Sequence, residues 1–384
     1  MITRDIAYIG VDDTDLDLFE SQYIIPNGIS YNSYLIKDEK IAIMDTADNR
    51  MIDEGLGNLR TALDGRTPDY LVVQHMEPDH AGCIAEILEE YPAIKIVASA
   101  RAIQMMPQFF EDKDFSQNTI AVKEGDTLCL GEHILQFFMA PMVHWPEVMV
   151  TYDKKDKVVF SADGFGKFGA LSHEEDWACE ARRYYFNICG KYGGPVQALL
   201  KKLATLDVEC ICPLHGPILK ENLGYYIGLY DTWSKYDVET EGVFIAYASI
   251  HGGTAAVANV MAEILREKGA KKVSVADLSR DDMAEAIEDA FRMDKMIVAA
   301  ASYDGGVFPV MHDFLHHLQI KAYQKRRVGI IENGSWAPCA GRVMRGMLEQ
   351  MKDVEIAEPM VTIISRMKQS DRAALEALAD AILK

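Results

Sequence analysis

The densest chemistry in the chain lies in Gln74-His75-Met76-Glu77-Pro78-Asp79-His80, where His75, Glu77, Asp79 and His80 are all potential metal ligands. The segment follows the apolar run 71–73 and precedes a helical pattern, which puts its side chains on a loop at a strand end. Strand alternation lets His75 and Glu77 share a face, while Asp79 and His80 point from the following turn at a neighbouring position. Burying so many ionisable groups side by side is costly unless cations neutralise them. Three more potential ligands stand alone in loops after apolar runs: His144 in Pro141-Met-Val-His-Trp-Pro146, Asp163 at the end of 158–163, and His215 in Pro213-Leu-His-Gly-Pro217. Proline, glycine and aromatic neighbours fix the backbone there, as a preorganised ligand shell requires. His133, His173, His312, His316 and His317 have no such setting and are read as ordinary core or surface histidines.

This order, H-x-E-x-D-H followed by separate His, Asp and His, resembles the ligand order of the metallo-β-lactamase superfamily. Glutamate at the third position, Glu77, resembles the flavodiiron proteins, whereas hydrolases of the superfamily usually carry histidine there and hold zinc. The resemblance implies one iron on His75, Glu77 and His144, a second on Asp79, His80 and His215, and Asp163 bridging them. Exchanging an imidazole for a carboxylate hardens the site towards iron. With four neutral imidazoles, two ferrous ions against three carboxylates leave a formal charge of +1, and a bridging hydroxide would cancel it. Such a site is open to redox change and to a small diatomic ligand.

A second group of residues points to a flavin. Ser249-Ile250-His251-Gly252-Gly253-Thr254 joins the apolar run 243–248 to a helical pattern, so that backbone N–H groups, hydroxyls and a helix start surround one point suited to a phosphate dianion. The segment resembles the phosphate loop of flavodoxins, with His251 where simple flavodoxins usually carry Thr. Ser302-Tyr303-Asp304-Gly305-Gly306 resembles the family's T-Y-N-G-G segment around the isoalloxazine, with Asp304 replacing Asn. Asn333-Gly334-Ser335-Trp336-Ala337 supplies a third loop. Tyr303 and Trp336 are the candidate ring-stacking residues. The resemblance implies FMN as cofactor.

The elements that must position these groups fall into two patterns. Residues 1–240 carry strand-like runs at 29–37, 40–46, 70–74 and 94–98, a helical pattern at 81–91, a hairpin-rich zone at 120–160 and a helical stretch at 174–206. Mixed hairpins followed by helices predict an α+β sandwich with helices outside two packed sheets, and the resemblance implies the αββα sandwich of the metallo-β-lactamase type. The stretch 224–241, aromatic and without clear period, reads as a junction. Residues 241–384 alternate strands (243–248, 272–277, 296–301, 327–332) with helices (254–268, 283–291, 311–322, 341–350, 371–383), the α/β signature of a doubly wound parallel sheet, for which the resemblance implies the flavodoxin type.

Composition closes off several classes of function. The 384 residues carry 39 Lys+Arg against 59 Asp+Glu, a net charge of −20, which repels nucleic acid. No apolar run reaches membrane-spanning length, and the acidic N-terminal stretch MITRDIAYIGVDDTDLDLFE reads against an export signal. Seven scattered cysteines indicate reduced thiols and a cytoplasmic location. What the two resemblances imply together is an oxidoreductase that reduces dioxygen to water, or nitric oxide to nitrous oxide, with electrons passed from FMN to two Fe ions. A metal-dependent hydrolase with an appended flavin domain, or a flavin-only electron carrier, would be the alternatives. The resemblance further implies a head-to-tail homodimer or dimer of dimers. No Cys-x-x-Cys pair occurs, so a fused rubredoxin is not expected and a separate electron donor, rubredoxin or a reduced deazaflavin, would dock. The basic run Lys321-Ala-Tyr-Gln-Lys325-Arg326-Arg327 is the candidate surface for an acidic donor.

Overall fold

Strands with β-branched and aromatic residues on both faces need cover on both sides, and that requirement organises each half of the chain. The computed structural model describes residues 2–111 and 113–384. The chain divides into two units, Met1–Asp231 and Thr232–Lys384.

Among the described residues of the first unit, one six-stranded sheet runs in the order Ile6–Tyr8, Tyr34–Lys37, Ile41–Met44, Tyr70–Val73, Lys95–Ser99, Thr119–Val122. A five-stranded sheet follows the order Thr127–Cys129, Ile134–Met139, Met149–Asp153, Val158–Phe160, Cys210–Cys212. The register sets Tyr34 beside Met44, Ile36 beside Ala42, and Val72 between Met44 and Val97. These side chains form one buried cluster with Leu135, Phe137, Met149, Val158, Phe160, Cys210 and Cys212 of the other sheet. The intervening residues Leu35, Ile43, Leu71 and Val73 are buried too, so both faces of the first sheet are covered.

Strand direction gathers the ligand loops on one rim. Ile134–Met139 and Val158–Phe160 are both antiparallel to Met149–Asp153, and Cys210–Cys212 is parallel to Val158–Phe160. His144, Asp163 and His215 therefore follow the C-terminal ends of strands that run the same way. The expected helical stretch 174–206 is realised in pieces, as Trp177–Tyr184, a wider turn Tyr185–Cys189, a tight turn Gly190–Tyr192 and Gly193–Leu203.

The division between the units falls within the stretch 224–241, and the structure forms the helix Leu223–Ser234 where the sequence shows no clear period. Its glycines and aromatics hide a helical period, and packing supplies what local propensity lacks. Within it, the Tyr230 ring stacks on Phe165 at 4.2 Å, and the Phe165 N–H donates to the Tyr230 hydroxyl at 2.6 Å.

In the second unit the strand order is Val273–Asp277, Thr240–Ala248, Met293–Tyr303, Arg326–Asn333, with Val354–Ile356 and Val361–Ile363 both on the outer side of the last. These pairings are parallel, and only the short Gly306–Val307 runs against its neighbour. The strand second in sequence lies outside the first, and the third lies on the first's other side. This reversal opens a crevice at the C-terminal strand ends, where doubly wound sheets bind ligands. Val243, Ile245, Ile297 and Ile331 bury one face against Val257, Met261 and Leu265 of helix Gly253–Glu267 and Leu375 and Leu378 of helix Arg372–Ile382. Among the described residues no helix is long and apolar enough to cross a membrane.

The basic run is not a free cationic face. Arg326 is 3% exposed and donates to the carbonyls of Tyr236, Asp237 and Phe291, while Lys325 pairs with Asp237 at 3.2 Å and Arg327 with Glu355 at 2.8 Å. The run ties the start of the second unit to its sheet, which overturns the donor-docking expectation for Arg326. Replacing Arg326→Ala strands several buried carbonyls, so it should destabilise the flavin unit by about 2–4 kcal/mol. Urea titration followed by FMN release should show a lower midpoint, with the salt dependence of donor-driven turnover unchanged.

Candidate functional site

The loop after strand Tyr70–Val73 delivers its groups in two directions, as its sequence implies. His75 extends the strand, and Pro78 opens the one-turn helix Pro78–Ala81, which carries Asp79 and His80. Proline suits that first helical position because the N–H it lacks would have no partner there. His75, His80, Asp163 and His215 are 0% exposed.

The seven expected ligands converge in two groups: His75, Glu77, His144 and Asp163 in one, Asp79, His80 and His215 in the other. Asp163 stands between them. Its Oδ2 lies 3.2 Å from His75 Nε2 and 3.1 Å from His144 Nε2, while its Oδ1 lies 3.1 Å from His80 Nε2 and 3.8 Å from His215 Nε2. Glu77 Oε2 is 3.1 Å from His75 Nε2 and 2.9 Å from His144 Nε2. Asp79 Oδ2 is 3.2 Å from both His80 Nε2 and His215 Nε2.

These spacings are close, yet many of the atoms make no hydrogen bond. Both oxygens of Asp79 and of Asp163, both nitrogens of His80 and Nε2 of His215 are buried without a partner. Leaving so many buried polar atoms unpaired would be prohibitive. Neighbouring ligands on metal bonds of about 2.1 Å lie roughly 3 Å apart, so atoms aimed at a common point rather than at each other are what a cation shell demands. Each group offers two imidazoles and one carboxylate besides Asp163, the donor set of non-haem ferrous sites. The residues present therefore fit two iron ions.

Two outer contacts fix which nitrogen faces inwards. His75 Nδ1–H donates to Glu147 Oε1 at 2.7 Å, and the same oxygen accepts the Met76 N–H at 2.9 Å. His215 Nδ1–H donates to the Ser30 carbonyl at 2.7 Å. Both leave the Nε2 lone pair for a metal. Burial opposes charge on His144, but Asp163 and Glu77 outweigh it and raise its pKa to about 9. Burial likewise favours neutral carboxyls at Glu77 and Asp163, yet the surrounding imidazoles hold both well below the usual carboxylate range.

Sequence reading missed Glu147, Ser30 and Glu20. Glu147 lies three residues beyond His144 and was open to notice, whereas Ser30 acts through a carbonyl that any residue would supply. Glu20 sits on a tight turn in which it and Ser21 have left-handed backbones (φ 48° and 58°). Desolvation, then the charge of Glu77, pushes its carboxyl up to about 7. His133, read as ordinary, is buried and pairs with Asp153 at 2.9 Å, while His173, His312 and His316 lie on the surface.

The flavin loops follow the C-terminal ends of strands Thr240–Ala248, Met293–Tyr303 and Arg326–Asn333. Gly252, left-handed at φ 82°, turns the chain into helix Gly253–Glu267. Ser249 Oγ is buried there without a partner, and Thr254 is buried at the helix start, while Ile250 and His251 are exposed. A lone unsatisfied hydroxyl beside the N-terminus of a long helix fits a phosphate. Asp304 and Gly305 (φ 46° and 73°) form the two-residue turn between paired Tyr303 and Gly306. Such turns accept Asp-Gly as readily as Asn-Gly, so the replacement of Asn by Asp304 keeps the backbone. Ser302 Oγ accepts the N–H groups of Cys339 and Ala340, and Asn333 Nδ2 donates to the Ser365 carbonyl, bracing the loops to one another. Gly334 N–H donates to the Ile363 carbonyl, and Ser335 Oγ meets Ser365 Oγ at 2.9 Å. Tyr303 is 44% exposed and Trp336 93%, with Ala337 exposed beside it.

Residues 29–216 match the model of the ODP family beta lactamase. An uncharacterised protein of Methanocaldococcus jannaschii is 30% identical over 91% of this chain and 89% of its own length. The anaerobic nitric oxide reductase flavorubredoxin of Escherichia coli is 28% identical over 88% of this chain and 72% of its own. The structure of rubredoxin oxygen:oxidoreductase from Desulfovibrio gigas superposes with a TM-score of 0.93 at 26% identity, covering 100% of this chain and 97% of that one.

Glu147→Gln keeps the shape but weakens the acceptor behind His75, so it should lower ferrous-ion affinity by about 10- to 100-fold. Metal titration of the stripped protein in buffers of differing ionisation heat tests this. The wild-type protein should also release protons on loading, because His144 stays protonated up to about 9 until a cation displaces its proton. In the metal-free protein the His144 ion pairs stabilise the fold below the ordinary histidine pKa, and that contribution is lost as pH rises through about 9.

Proposed function

The chain belongs to the flavodiiron proteins, and from that premise we propose that it reduces dioxygen to water, nitric oxide to nitrous oxide, or both. The carrying observation is the carboxylate of Asp163 with one oxygen turned to each of two imidazole pairs. In this reading His75, Glu77 and His144 hold one iron, Asp79, His80 and His215 the other, and Asp163 both. FMN supplies electrons singly from a two-electron store, and the ferrous pair supplies an adjacent two-electron reductant for a bound diatomic gas.

The chain's own residues set the conditions. The Nδ1–H groups of His75 and His215 donate to Glu147 and to the Ser30 carbonyl, so each ring turns its Nε2 towards the seat. The burial of these groups keeps bulk water from the seat between them and strengthens their electrostatic grip. Ser249, Gly252, Gly253 and Thr254 hold the FMN phosphate by the helix N-terminus, with Ser302 to Gly306 and Asn333 to Ala337 around the ring system.

A hydrolase is disfavoured by Glu77, which takes the place of a zinc-binding imidazole. A separate electron carrier is the partner, and rubredoxin is the candidate that the name of the Desulfovibrio gigas neighbour brings forward, with a reduced deazaflavin as the alternative. All seven cysteines are free among the described residues, which supports a reducing compartment such as the cytoplasm.

His144→Ala should abolish gas consumption by the reduced protein while FMN content stays at wild-type level, as anaerobic stopped-flow with metal and flavin counted beforehand would read. Retained consumption would leave only the electron-carrier function. A head-to-tail dimer, with the flavin of one copy serving the irons of the other, is the assembly we favour. Mixing His144→Ala subunits with subunits altered at Trp336 and Tyr303 should then restore part of the turnover, and no recovery would indicate transfer within one chain.

A further inference from the structure

His215 stands on a loop that no sheet ladder supports. His75 extends a strand in mid-sheet, and His80 rides on the helix Pro78–Ala81. The strand that leads to His215, Cys210–Cys212, is the last of its sheet, and Pro213-Leu214-His215-Gly216-Pro217 runs on outside any strand or helix. Its two prolines have no N–H to offer. Gly216 is left-handed at φ 78°, and a Cβ there would come within 2.6 Å of Lys167 Cγ. The loop is buried, so its carbonyls need partners from outside the ladder.

One residue supplies them. Asn32 lies between strands Ile29–Tyr31 and Tyr34–Lys37 and is fully buried. Its side-chain amide donates to the carbonyls of Pro213 and Gly216, both at 2.8 Å, and its backbone N–H donates to the carbonyl of Leu214 at 2.8 Å. Three carbonyls that bracket His215 thus converge on Asn32. Because carbonyls only accept, the amide nitrogen must face them, which leaves the amide oxygen to accept the Tyr8 hydroxyl at 3.1 Å. Aspartate has the same shape but no donors, serine has a single donor, and glutamine is longer by a methylene. These bonds go to the His215 loop and to Tyr8, and none goes to the loops of His75, Glu77 and His144.

We propose that Asn32 is a positioning residue of the metal centre: it fixes the backbone that carries His215 and so sets the affinity of the Asp79, His80 and His215 group for its ion. The division of labour with Ser30 is clear. The Ser30 carbonyl and hydroxyl take the His215 Nδ1–H and the Gly216 N–H, both at 2.7 Å, and orient the ring, whereas Asn32 holds the carbonyls on either side of it. The inference rests on the reading of His215 as a metal ligand.

Anaerobic titration of the metal-stripped whole protein with ferrous ion reads each affinity without turnover. The wild-type protein should take up two ions tightly. Asn32→Leu, which has nothing to donate, should keep one tight ion and weaken the other by about 10- to 100-fold, with FMN content unchanged. Asn118→Leu is the control for general loosening. That amide also donates to two carbonyls, those of Pro92 at 3.0 Å and Ile94 at 2.8 Å, but in a loop that carries no ligand, so both affinities should stay at the wild-type level. Should Asn32→Leu not fold, Tyr8→Phe removes the hydroxyl that holds the amide oxygen and should give the same one-sided loss in a smaller step. Two affinities that fall together, that fall equally in Asn118→Leu, or that do not move at all overturn the role of Asn32. Fewer than two ions in the wild-type protein would overturn the two-metal reading beneath it instead.

Discussion

The carboxylate of Asp163 is the constraint around which the first unit is arranged. Its two oxygens face separate imidazole pairs, and it is buried with neither oxygen hydrogen-bonded. An ionised group in that position is tolerable only if positive charge stands on both sides of it. Everything that sets its place follows from sheet geometry. Val158–Phe160 is buried on both faces, and its direction relative to Ile134–Met139 and Cys210–Cys212 puts His144, Asp163 and His215 on one rim. The sandwich core is thus what lets a small number of loops hold so much charge at fixed spacing, because packed strands cannot adjust to relieve the repulsion among them.

The outer contacts complete that arrangement by different means. Glu147 brings a charge behind His75, which strengthens the imidazole as a donor, whereas His215 leans on a backbone carbonyl that is neutral and fixed. The Asp45 carboxyl, pushed up to about 6 by burial even with two N–H groups of Gln74 on it, anchors the strand end from which His75 projects. The two ligand groups are therefore alike in their donor types and unlike in what stands behind them.

Legibility in the sequence tracked how local each feature is. The His75 to His80 loop could be read because four potential ligands share one short segment after an apolar strand. His144, Asp163 and His215, each alone in its loop, could be assigned only by resemblance, since no spacing rule links residues joined by sheet topology. The flavodoxin-like half was legible strand by strand, because a parallel sheet buried on both faces imposes continuous apolar runs. Helix Leu223–Ser234 was not, because its stability comes from Tyr230 against Phe165, a contact across the fold. The basic run misled for the same reason: Arg326 looks like surface charge in sequence, and only the fold reveals the carbonyls of Tyr236, Asp237 and Phe291 that accept its hydrogen bonds.

Asp304 shows how a departure from a family pattern can be neutral at one level and consequential at another. At the level of the backbone, a two-residue turn with both φ angles positive accepts Asp or Asn before Gly, so the loop keeps its path. At the level of charge, a carboxylate takes the place of a neutral amide in a loop expected at the flavin. A negative charge near a flavin ring disfavours the anionic reduced forms and so pulls the potential down relative to the amide. The turn explains why the residue is permitted, and were the flavin ring to lie against this loop, the same exchange would lower its potential.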